Sequence, residues 1–193
     1  MKPTVALLVS LSLVSAMHAV RAQDAASLLA DTRKTALPVL PKVVQAMQTA
    51  VQENGPVGAI PVCKEKAPQF LQELRQQTGW SIRRVSLKAR NPSTGTPDAW
   101  EVRQLADFDI RVANGAKPEQ LEVGEIVVAA NGQRSYRYLK ALPVTEVCLS
   151  CHGPADTLSV ELKAALAKDY PQDRATGYAA GQVRGALSVI RPL

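Results

Sequence analysis

Histidine and methionine are scarce in this chain. Its 193 residues hold two histidines, His18 and His152, and three methionines, Met1, Met17 and Met47. Paired-imidazole sites are therefore hard to build, and no other acid/base constellation stands out. The chain is read as non-enzymatic. Charge of one sign is never clustered. The formal net charge is +6, but it is spread thinly. That argues against a nucleic-acid partner and is compatible with an acidic redox partner or an anionic surface. Internal repeats and low-complexity tracts are also missing. Cysteines number three, an odd count that leaves one thiol to be explained.

The N-terminus carries a charge at Lys2, an apolar run from Val5 to Val14 broken by Ser10 and Ser12, and small or modest residues at Val20-Arg21-Ala22. This is the pattern of a secretory signal peptide cleaved after Ala22. A retained anchor is the competing reading, but the run is shorter than the roughly 20 residues a membrane span needs. Residues 1–22 are assigned to the leader and 23–193 to one mature domain, placed in the periplasm or secreted, with no stable span after cleavage. About 170 residues suit a single core. Loss of the leader removes His18, Met1 and Met17, so His152 and Met47 become the only histidine and methionine.

Against that background Cys148-Leu149-Ser150-Cys151-His152 stands out. C-x-x-C-H is the attachment signal of a c-type haem. Each thiol adds across one vinyl group, and the two intervening residues span the distance between the vinyls. The next residue, His152, is then held beneath the macrocycle as the proximal iron ligand. One covalent haem c per chain is expected. Zinc would need Cys151 and His152 as adjacent ligands beside Cys148 and Cys63, which is awkward for a tetrahedral site. Thiol redox chemistry would place the motif after the first strand of a βαβ unit, and here it lies late in the chain.

The elements follow from periodicity and turn residues. Asp24 to Thr35 reads as a helix. Leu40, Val43, Val44, Met47 and Val51 mark one face of a second, stopped by Asn54-Gly55-Pro56. Ala67, Phe70, Leu71 and Leu74 mark a third, ending at Gly79. Trp80 to Ala89 alternates as a strand, Arg90 to Asp98 is a loop, and Ala99 to Val112 is helical with Trp100, Leu105 and Phe108 inward. Strands Leu121 to Ala130 and Gln133 to Leu142 flank the hairpin turn Asn131-Gly132. Leu158, Leu162 and Leu166 mark a short helix. Tyr170 to Gly185 is loop-like, and Ala186 to Ile190 is a final strand. Helices followed by a meander of strands give an α+β domain on one antiparallel sheet.

Cys63 falls at or just before a helix N-terminus, beside Lys64 and Lys66, where helix-end amides and ammonium groups favour a thiolate. The plain alternative is a small buried apolar residue. With no second histidine, the sixth iron ligand is Cys63, Met47, a lysine amine, a tyrosinate, or none. Met47, on an apolar helix face, is most simply core. Arg83, Arg84 and Arg90 match haem propionates in geometry, or are solvated strand residues.

Several segments also resemble a known family. Cys63-Lys64-Glu65-Lys66-Ala67-Pro68, the stretch Ile82 to Pro92, Trp100-Glu101, Cys148 to Gly153, Tyr170-Pro171-Gln172-Asp173, Gly177-Tyr178 and Arg184-Gly185-Ala186 together look like the Tll0287-like haem family. The resemblance covers nearly the whole mature chain. It implies a PAS-like fold, a small antiparallel sheet with helices on one side, carrying a covalent haem. It also implies histidine/cysteine axial ligation, falling on His152 and Cys63, and it sets Tyr170, Tyr178 and Asp173 along the haem pocket. The loop Ser93 to Thr96 departs from the family pattern, which is commonly shorter, with an asparagine between the prolines. Residues and resemblance together favour Cys63 as the sixth ligand.

Two functions suit such a protein. One is a redox or gas sensor, with a partner protein or a diatomic gas as its input or output. The other is a soluble, low-potential electron carrier. An anionic thiolate stabilises ferric iron, so a negative midpoint potential is expected in both.

Overall fold

The structure is a computed structural model describing residues 24–193. The leader assigned to residues 1–22 lies outside the described residues. Helix α1 covers residues 24–36 and α2 spans Val39–Gly58. A π-helical turn, Val62–Lys66, runs directly into α3, Ala67–Thr78. Strand β1 is Ser81–Val85, α4 is the single turn Pro92–Gly95, and α5 is Ala99–Ala113. Strands β2 (Glu122–Val128) and β3 (Arg134–Pro143) form the hairpin, followed by α6 (Glu146–His152), α7 (Val160–Asp169) and β4 (Val183–Pro192). The fold is α+β, a PAS-like antiparallel sheet of four strands in the order β1-β4-β3-β2. Among the described residues no helix is long and apolar enough to cross a membrane.

The two faces of the sheet bury different sets of side chains, because successive residues of a strand point opposite ways. Ile82, Tyr136, Tyr138, Leu187 and Val189 line one face, and Leu28, Leu29, Leu40, Val43, Phe70, Leu71 and Leu74 of α1–α3 pack on it. Val85, Leu139, Ala141 and Ala186 line the other, covered by Trp100, Leu105 and Phe108 of α5. Each fully buried aliphatic side chain here contributes about 1.5–3 kcal/mol. The one-sided sheet implied by the resemblance is thus corrected. Strand β4 is buried on both sides over most of its length, which requires a layer of helix on each.

Local chemistry explains the other departures. The stop at Asn54-Gly55-Pro56 is a kink inside α2. Gly55 takes a φ of 67°, and Pro56 starts the continuing turn. The expected strand to Ala89 ends at Val85, because Ser86 turns its hydroxyl to the carbonyls of Lys88 and Arg184 at 3.1 and 2.9 Å. Asn91 caps the loop turn α4 through the amide of Ser93 at 3.2 Å. Helix α5 starts on a capping box in which Asp98 accepts from the amide of Glu101, and the Glu101 carboxylate accepts from the amide of Asp98. Val44, expected on the buried face of α2, is 45% exposed, while Met47 and Val51 pack with Ala50, Ala59 and Val62.

Candidate haem site

Helix α6 carries Cys148, Cys151 and His152 within its seven residues. Thr145 stands at its N-cap, its hydroxyl 3.3 Å from the Cys148 sulfur. The two thiols lie in different surroundings. Cys148 packs with Val144, Ala175 and Tyr178, and Cys151 packs with Ile60, Leu158, Leu162, Leu166 and Tyr170. Burial pushes the Cys151 thiol up.

His152 is held from behind. Its Nδ1 is 2.6 Å from the Ala175 carbonyl, a contact that fixes the proton on Nδ1 and makes Nε2 the acceptor, which the Arg184 Nε–H meets at 3.4 Å. Burial, followed by the charges of Arg184, Arg90 and Arg84, drives its pKa far down, so the ring is neutral. The loop after α7 completes the mount. The Tyr178 amide donates to the His152 carbonyl at 2.9 Å, and the Gly177 amide to the Gly153 carbonyl at 2.8 Å. Tyr178 meets the imidazole edge-on, with ring centroids 6.3 Å apart. Gly153 is fixed by space, since a Cβ there would lie 2.7 Å from the Leu149 carbonyl oxygen.

The three predicted arginines part company. Arg83 turns to the α5 face, where it pairs with buried Glu101 and donates to the Thr96 carbonyl at 2.9 Å. Arg90 braces α6 by donating to the Cys151 carbonyl at 2.6 Å. Its Nε lies 3.0 Å from Asp173 Oδ2, an ion pair off the line that a hydrogen bond needs. Arg84 keeps solvent access, yet surrounding protein lowers its pKa while Cys63 and Cys148 act to raise it.

Cys63 is exposed on the π-helical turn, within electrostatic range of Arg84, Cys151 and Tyr170. It is not at a free helix start. The Ala67 amide bonds back to the Val62 carbonyl, so the chain is helical through it, and Pro68 has no amide to hold the α register. Lys64 is drawn off to Asp169 of α7. Tyr170 is buried under α7, its phenol pushed up to about 12 by burial and then by Cys63. Cys63, Cys148, Cys151, His152, Arg84, Arg90, Tyr170 and Tyr178 are therefore brought together, while Arg83 and Met47 belong to other surroundings.

The motif Arg184-Gly185-Ala186 does not by itself assign Arg184 a role. Arg184 is 4% exposed, donates to Ser86 Oγ at 2.9 Å and lies 3.4 Å from His152 Nε2. Its signal in the sequence is a guanidinium opening an otherwise apolar strand. Among the described residues no group of three or more histidine, cysteine or acidic side chains is set to hold a metal ion. The donor set fits a c-type haem: paired thiols on one helix, a neutral imidazole with Nε2 as its acceptor, and the guanidiniums of Arg184, Arg90 and Arg84 around it.

A search of curated proteins finds no match. Among solved structures the chain is similar to the crystal structure of the cyanobacterial heme-protein Tll0287, at 22% identity and a TM-score of 0.66, covering 86% of this chain and 95% of that one. At that identity the likeness speaks for the fold. The family model Tll0287-like matches residues 11–192, nearly the whole sequence, and the chain belongs to the Tll0287-like family.

Proposed function

We propose that this chain is an exported, non-enzymatic c-type haem protein that senses redox state or a diatomic gas. The mounting of His152 carries the reading. A partly buried imidazole bonded through Nδ1 to a backbone carbonyl, directly after two thiols on the same helix, suits an iron ligand. The heme content stated for the similar cyanobacterial structure supports it. Haem c would supply an iron that exchanges one electron, and a diatomic gas would compete with Cys63 for it.

The chain's own residues do the rest. Cys148 and Cys151 anchor the group, and His152 faces it with a fixed ring. Cys63 offers the opposite donor from the π-helical turn, and Arg84 offers a guanidinium to a carboxylate. Val144, Ala175 and Tyr178 pack against Cys148 and Leu149 and would shield that end of the group. A low-potential electron carrier is the second reading. The exposure of Cys63, which leaves one edge of the site open to a partner protein, favours it.

Expression with a c-type maturation system tests the cofactor. One haem per chain should survive acid–organic extraction, and Cys148→Ser with Cys151→Ser should release it. Haem that extracts freely from the wild type would sink the reading.

A further inference from the structure

The loop that mounts His152 has a second side. Between the C-terminal half of α5 and the segments 86–88 and 177–185 lies a cavity of about 360 Å³, within the range that holds a small organic ligand. Leu105, Val112 and Val183 form apolar wall, and Asp109, Lys88 and Gln182 supply polar groups.

The polar groups differ in what they have left to give. The Lys88 ammonium already donates to the Thr176 carbonyl and lies 4.3 Å over the Tyr178 ring. Gln182 already accepts from the Ala179 amide at 3.0 Å. On α5, Asp107 pairs with Arg111. Among the described residues nothing comparable meets Asp109. Its carboxylate is open at the rim, and the surrounding protein pushes its pKa up with no cation to offset it. The uncommitted charge in the cavity is negative, and its neighbours are apolar.

We propose that this cavity binds a small organic cation, its ammonium on Asp109 and its apolar body against Leu105, Val112 and Val183. The cavity also shares its wall with the haem mount. Tyr178 lines it and bonds the His152 carbonyl, and Ser86 and the Lys88 carbonyl, on its other wall, both hold Arg184 beside the imidazole. Occupancy therefore bears on the groups that set the environment of His152. This coupling rests on the proposed haem function, whereas the binding site does not.

Calorimetry on the purified full-length holo-protein tests it, with benzylammonium as probe and benzyl alcohol and benzoate as comparators. Benzylammonium should bind one per chain, at least about tenfold more tightly than the isosteric alcohol. Asp109→Asn should reduce it to the level of the alcohol, and Ala113→Phe, which fills the cavity, should abolish binding. No heat at millimolar benzylammonium, equal binding by Asp109→Asn, or preference for benzoate would overturn the site. A redox titration at saturating benzylammonium should shift the midpoint, and an unmoved midpoint overturns the coupling. If covalent haem is not found but the probe still binds, the haem function fails and this site stands.

Discussion

At Cys63 the backbone leaves the α register for one π-helical turn, which presents the thiol at the surface within electrostatic range of Cys151, Tyr170 and Arg84. Such turns recur at functional sites because the extra residue re-aims a side chain without breaking the helix. Met47, the other soft donor, is spent on packing with Ala50, Ala59 and Val62. Cys63→Ser should abolish a thiolate-type optical and EPR signature in the ferric protein while retaining covalent haem. Met47→Ala should leave that signature intact and cost roughly 1–2 kcal/mol of stability, since the side chain is only partly buried. An unchanged spectrum in Cys63→Ser, with a change in Met47→Ala, reverses the assignment.

The α5 layer is tied to the sheet by one carboxylate. Glu101 is fully buried and meets Arg83, the Ser188 hydroxyl at 2.6 Å and Arg137 at 3.6 Å. Glu101→Ala leaves Arg83 without its counter-charge and Ser188 and the Asp98 amide without their acceptor, while Arg137 keeps Asp98, so chemical denaturation should show a loss of about 3 kcal/mol. Glu101→Gln, which can keep an acceptor for Ser188 and the Asp98 amide, should lose less. Haem content should be unchanged in both, because this network lies on the face away from Ile82 and Leu187. A loss under about 1 kcal/mol for the alanine variant would show that the layer is held by apolar packing alone. The same element shows where sequence reading reaches its limit. Periodicity placed the helices, the hairpin and the inward side chains of α5, because each is a local pattern. The division of Arg83 from Arg84, and of β4 into two buried faces, depends on which element lies across the sheet. No local pattern encodes that. Cys63, Cys148, Cys151 and His152 were legible because their chemistry is rare, whereas Arg184 became legible only when β4 brought it beside His152.

On the scale of the molecule, two electrostatic influences oppose each other at the site. The guanidiniums of Arg84, Arg90 and Arg184 all bear on His152 and favour the less positive iron state. A Cys63 thiolate bound to iron, as proposed, would favour the more positive one. A directly bonded anion outweighs charges acting through space, so the midpoint should be negative against the hydrogen electrode. Axial ligands span about 0.8 V, and Cys63→Met should therefore raise the midpoint by some hundreds of millivolts, on the order of 200 mV or more, in a redox titration. A positive wild-type midpoint defeats thiolate ligation, and a negative one without CO binding moves the function to electron transfer. The sheet order has a further consequence, in time rather than in space. β4 follows every other described strand in the chain, yet it lies between β1 and β3, pairing Ser81 with Ile190. Neither neighbour can be joined until it arrives, and so distant a pairing closes slowly. As the chain emerges, the thiols of α6 precede β4 and stand on an unclosed sheet, open to whatever attaches their cofactor before the fold seals around it.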